Sequence, residues 1–231
     1  MVELIRCELQ KFKLLRQWTG VLAAILGCML FLTVAIFNNA YTDYDNYTYD
    51  DLFKVIQLLL TTVFIVYSSA VLSTLDISEY NRKTIFVMFS YPIDRKKIIT
   101  AKLLIVSMFT IISLILGYLA CTILAVLLDH GFDVIDGSFT LLPLRTYLPV
   151  CITSIISCGA WALLPFSVGI QKKSVATTVA SSLLVVLLRQ IIITLNPLYG
   201  ESPLQCAAIL LFIALITSFS YKRRANDLDH I

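Results

Sequence analysis

From Leu103 to Leu128 the chain carries no charged side chain. About 20 consecutive apolar residues suffice for a helix to cross the hydrocarbon core of a bilayer, and a lone segment in lipid must satisfy its own backbone groups, which only a helix does. The run therefore reads as a membrane-crossing helix and makes the bilayer the main solvent. The whole chain agrees: 58% of its residues are hydrophobic, 14% are charged and the mean hydropathy is +0.86, which excludes an ordinary soluble domain. The expected fold is an all-α membrane protein with six transmembrane helices, at about 18–38, 53–75, 103–128, 147–170, 174–195 and 204–221, followed by a tail over 222–231. Six spans place both termini on one side.

The connections say which side. Of the 18 lysines and arginines, fifteen lie in the N-terminal segment (Arg6, Lys11, Lys13, Arg16), the second connection (Arg82, Lys83, Arg95, Lys96, Lys97, Lys102), the fourth connection (Lys172, Lys173) or the tail (Lys222, Arg223, Arg224). Only Lys54, Arg145 and Arg189 remain for the rest. Short positive loops are retained in the cytoplasm, so a multi-pass protein of the cell membrane with both termini cytoplasmic is expected. The net charge of +3 is thus a topology signal and not a sign of nucleic-acid binding.

Residues 1–17 mix Glu3, Arg6, Glu8, Lys11, Lys13 and Arg16 with Ile5, Leu9, Phe12 and Leu15 at near-helical spacing. That pattern lacks the continuous apolar centre of a removable signal peptide and suits an amphipathic interfacial helix, apolar face on the acyl chains and basic residues among lipid headgroups.

Catalytic patterns are scarce. The six cysteines, Cys7, Cys28, Cys121, Cys151, Cys158 and Cys206, show no CxxC spacing and fall mostly within expected spans, where cysteine packs as a small apolar residue. Two histidines, His130 and His230, cannot make an HExxH zinc site, and neither GxSxG nor GxxxxGK[ST] occurs. No cofactor or metal is expected in this chain, and it is not expected to be an enzyme.

The second connection is more specific. Glu79, Thr84, Pro92, Arg95 and Lys102-Leu103-Leu104 follow one another at intervals that resemble the signature of ABC-2 family permeases: a Glu, a Gly-Thr pair, a Pro with a nearby Arg, and a Lys-Leu-Leu entry to the third span. The chain departs from that pattern at Lys83, where the family usually has Gly. In length it resembles compact bacterial permeases of peptide-toxin export and lantibiotic immunity. The resemblance implies the membrane half of an exporter, in which two permease chains form the pathway and cytoplasmic ABC ATPase subunits bind ATP and Mg beneath it.

The residues suit a coupling helix between spans 2 and 3 that docks on such an ATPase. Glu79 stands three and four positions before Arg82 and Lys83, the spacing of helix-surface ion pairs. Ile85, Phe86, Met88 and Phe89 offer apolar anchors for a groove, and Pro92 ends the helix before Arg95. The competing reading is a solvated loop with an apolar face lying on the membrane.

Two further features are weaker. The first outer loop interleaves tyrosine with aspartate (Tyr41, Asp43, Tyr44, Asp45, Tyr47), a surface for a cationic or amphipathic substrate or simply a polar loop with interfacial tyrosines. Arg189, roughly 22 Å along the fifth span from Ser174, lies past the midplane on the outer side. Its side chain is expected to snorkel outward, with a pathway-facing role as the alternative. The leading expectation is an ATP-driven exporter permease for an amphipathic peptide, antibiotic or lipid-like substrate, working as a homo- or heterodimer. The alternative is a non-transport membrane scaffold or receptor-like subunit.

Overall fold

The computed structural model describes residues 14–41, 49–81, 95–132, 141–165 and 175–195. Within them the chain is helical, with no strand: α1 (Leu14–Tyr41), α2 (Tyr49–Asn81), α3 (Arg95–Phe132), α4 (Leu141–Trp161) and α5 (Val175–Leu195). Four of these contain stretches long and apolar enough to cross a membrane, Gln17–Asn38, Tyr49–Thr74, Leu103–Gly131 and Val175–Thr194. Their 20 to 29 residues correspond to roughly 30 to 43 Å of helix, against a hydrocarbon core of about 30 Å. α4 has a shorter apolar stretch, Tyr147–Trp161. The segment expected to span at 204–221, most of the interfacial segment and the tail lie outside the described residues. α1 runs unbroken through Gln17 and Trp18, so no change of element marks the point where the first span was expected to begin.

α4 contains Pro149 and ends at Trp161; the expected end of the fourth span at 170 lies outside the described residues. The Ala162 N–H still donates to Cys158 O in the helical pattern (2.9 Å), but the Leu163 N–H tightens onto Ala160 O (3.1 Å). Leu164 and Pro165 are helical again after this turn, and a proline, which has no N–H to give the Trp161 carbonyl, is tolerated in the first turn of a new helical stretch.

The packing follows from contacts at named levels. Tyr49 meets Asp129, and Leu60 and Phe64 meet Gly117, so α2 and α3 are antiparallel. Tyr118 bonds Ser154 and Gly159 faces Ile111, so α3 and α4 are antiparallel too. Phe53 stacks on Tyr147 and Thr61 meets Cys158, which makes α2 and α4 parallel. α5 starts beside the end of α4, with Ser181 near Pro165 O, and runs back to place Arg189 against Thr61, antiparallel to α2. The bundle therefore alternates. The start of α1, the α2–α3 connection and the α4–α5 connection share one end, where Lys172, Lys173 and the basic second connection attach; Tyr41, Tyr49 and the end of α5 share the other.

α2 is the hub, packing against each of the other described helices. Half of its apolar stretch is buried (50%), against 28–33% for α1, α3 and α5. Its inward residues, Leu52, Ile56, Leu60 and Phe64, are fully buried together with Val106 and Leu114 of α3. The outward faces, such as Leu22, Leu26, Phe31 and Val34 of α1 or Leu184, Leu187, Leu188 and Ile191 of α5, are large and apolar. Lipid tails are as apolar as leucine, so helix association here depends on close packing and cross-helix hydrogen bonds rather than on escape from water. Gly20 and Gly117 make that approach possible: a Cβ at Gly20 would run into the Tyr67 hydroxyl, and one at Gly117 would stand 3.1 Å from Leu60 Cδ2.

Candidate functional site

The interior sets many hydroxyls among its large apolar side chains. Thr61, Ser68, Ser69 and Ser73 of α2, Thr110 and Ser113 of α3, Ser154 and Ser157 of α4, and Thr178, Ser181 and Ser182 of α5 are all buried. Most spend their proton on a carbonyl one turn back, as Thr61 does on Gln57 O (2.7 Å) and Ser182 on Val179 O (2.6 Å). A hydroxyl bonded in this way is satisfied in lipid while keeping a lone pair for a neighbour.

Thr61 uses that capacity. It stands twelve residues, about 18 Å, from Tyr49 and near the middle of the apolar stretch of α2. Its Oγ1 accepts from Arg189 Nη1 (2.9 Å), and its carbonyl accepts from the Cys158 thiol (3.8 Å), so α2, α4 and α5 meet at one residue. Arg189 is 3% exposed. Its side chain thus turns back along α5 into the bundle and does not snorkel to the nearer end of its helix. What holds it there is the Thr61 hydroxyl on the facing helix, and the tilt of Cβ toward the helix N-terminus suits that direction.

The two ends are fastened differently. At the Tyr49 end, the Tyr49 hydroxyl donates to the Asp129 carboxylate, the Phe53 and Tyr147 rings stack at 4.1 Å and 18°, and Tyr147 Oη donates to Phe53 O (2.9 Å). At the opposite end, Tyr67 Oη donates to Gln17 O (2.8 Å) and Trp18 meets Phe109 edge-on at 5.5 Å. Tyr147→Phe is expected to keep the stack and lose the bond, costing about 0.6 to 1.7 kcal/mol. Tyr147→Ala also removes the ring, at about 3 to 5 kcal/mol. Unfolding midpoints of the two variants in mixed micelles check the difference.

Of the residues singled out from sequence, Glu79 lies in the last turn of α2 and Arg95 opens α3, so the helix directions bring them to the same end. Arg82, Lys83, Thr84, Ile85, Phe86, Met88, Phe89 and Pro92 lie outside the described residues. Tyr41 ends α1, and Asp43, Tyr44, Asp45 and Tyr47 lie outside them as well. Sequence reasoning missed Thr61, Tyr118, Ser154, Tyr147 and the Tyr49–Asp129 pair. A signal existed: Thr178, Ser181, Ser182 and Arg189 recur at intervals that share one helical face. Among the described residues no group of His, Cys, Asp or Glu is arranged to hold a metal ion, and Cys28, Cys121, Cys151 and Cys158 are not in disulfides.

The model of the family described as "ABC-2 family transporter protein" matches residues 4–189. YcbO, an uncharacterized protein of Bacillus subtilis (strain 168), is 31% identical over 221 residues, which cover 92% of this chain and 95% of YcbO. No solved structure matches.

Proposed function

This chain belongs to the ABC-2 transporter family, and from that premise we propose that it is the permease subunit of an ATP-driven exporter for an amphipathic peptide, antibiotic or lipid-like substrate. Permeases of this family are membrane transport subunits, not themselves catalytic, and work with an ABC ATPase. The chain has no phosphate loop of its own, so ATP and Mg belong to that partner. In this reading the Asn81 end of the bundle is cytoplasmic, because the basic connections gather there. A sixth span over 204–221 returns the chain to the same side, and the residues between Glu79 and Arg95 form the coupling helix seated on the ATPase.

The observation that carries the reading is the family match over residues 4–189 on a bundle whose basic connections share one end. The cargo class is supported by the walls: leucine, isoleucine, valine and phenylalanine with hydroxyls already bonded to their own helices offer little to a hydrated ion or sugar, which would lose water without replacement. Co-expression with an ABC ATPase from the host, followed by reconstitution into vesicles, provides the test. ATP-dependent movement of amphipathic peptides or lipid-like dyes is the expected result. Movement of small ions alone overturns the cargo class, and stable ATPase binding without ATP-dependent movement of anything favours the scaffold reading instead.

The working unit is proposed to hold two permease chains. One bundle places its hydroxyls inside and apolar faces outside, so a shared pathway needs a second wall. Native mass measurement of the active complex is expected to give two permease chains; activity with one overturns this.

A further inference from the structure

Groups that resist sliding lock α2, α3 and α4 together: the Phe53–Tyr147 stack, the Tyr49–Asp129 bond and the Tyr118–Ser154 bond. The seam between α2 and α5 is built differently. Along α5, Thr178, Ser182 and Arg189 share one buried face, four and seven residues apart. On α2, Ser68 lies two turns beyond Thr61 on the same face. With the helices antiparallel and Arg189 reaching Thr61, Ser182 and Ser68 both lie on the same side of that bond, toward the start of α5. Ser182 donates to its own Val179 O (2.6 Å) and Ser68 to its own Ile65 O (3.0 Å). Side chains this small give a low-relief surface, and hydroxyl protons spent on their own helix do not bind across it.

Against that smooth seam, Arg189 reaches across to Thr61 (2.9 Å). We propose that the Arg189–Thr61 bond is a catch that sets the register of α5 on α2 and opens when α5 shifts along α2 in the transport cycle; the cycle, though not the catch, rests on the permease reading. Both residues act here as positioning residues. The acceptor is neutral, so opening this bond separates no opposite charges. A cross-helix hydrogen bond in a bilayer biases an equilibrium by a factor of about three to twenty, enough to favour one register and weak enough to open in each cycle. Thr61 is also where α4 meets α2, which ties the chosen register to the locked part of the bundle.

The catch is tested on the full chain in lipid nanodiscs by backbone hydrogen exchange. Thr61→Val keeps the side-chain shape and removes the acceptor, Thr61→Ser keeps the acceptor, and Arg189→Gln removes the guanidinium. Thr61→Val and Arg189→Gln are each expected to speed exchange within 175–195 about three- to twenty-fold while α3 and α4 stay unchanged. Thr61→Ser is expected to stay near the parent, and the double variant to exceed neither single one. Unchanged α5 exchange, an equal rise in α3 and α4, or additive effects in the double variant overturn the catch. Its opening is read with the ATPase bound: faster α5 exchange under ATP turnover supports the cycle, and unaltered exchange under turnover overturns it. Because the first measurement needs no ATPase and no cargo, it can fail while transport is demonstrated, or succeed where transport fails.

Discussion

Gly117→Val is expected to cost the bundle about 1 to 3 kcal/mol or more, enough to lower its unfolding midpoint visibly in mixed micelles. A Cβ at Gly117 lies 3.1 Å from Leu60 Cδ2 and 3.3 Å from Phe64 Cε2. Both neighbours are fully buried on α2, packed on their other sides and without room to retreat. Valine adds two methyl groups to that first carbon, so α3 must move away from the hub. Gly27→Val is the control, since a Cβ there meets nothing within 4 Å. Its effect is expected to stay within about 0.5 kcal/mol. Equal midpoints for Gly117→Val and the parent would show that α2 and α3 do not approach as closely as described.

The largest expected functional effect belongs to Phe86→Ala with Phe89→Ala. If these rings anchor the coupling helix in an ATPase groove, each truncation removes about 2 kcal/mol or more of docking energy. Together they weaken docking by several hundredfold or more. Export is expected to collapse while the ATPase retains its own basal hydrolysis. The protein should remain in the membrane, because both residues lie between the spans expected at 53–75 and 103–128. Glu79→Lys, at the last turn of α2, is expected to weaken coupling less, as it changes a charge rather than an apolar anchor. Undiminished ATPase association and export in the double variant would place the apolar residues on the membrane surface instead.

The helices were legible in the sequence because their cause is local: a chain without charges from Leu103 to Leu128 has little choice in lipid. The direction of Arg189 was not. Counting residues gave its height along α5, but a side chain this long covers more than a turn of helix. Whether it reaches outward or inward depends on what the facing helix offers. Thr61 offered an oxygen only because α5 packs against that face of α2. Tyr147 was hidden for a similar reason, since a tyrosine near a helix end suits the membrane interface as well as a stack on Phe53. Cross-helix partners depend on which faces meet, and one sequence read alone carries no term for that.

α2 is not mechanically uniform. Its first half is braced by rings, with Tyr49 and Phe53 set against α3 and α4. Its second half carries Ser68, Ser69, Ser73 and Thr74, each bonded to a carbonyl three residues earlier. Such bonds compete for the carbonyls of the helical ladder and soften it toward bending. α2 is therefore held by ring contacts in its first half, whereas beyond Tyr67 it is the part of the hub most inclined to curve.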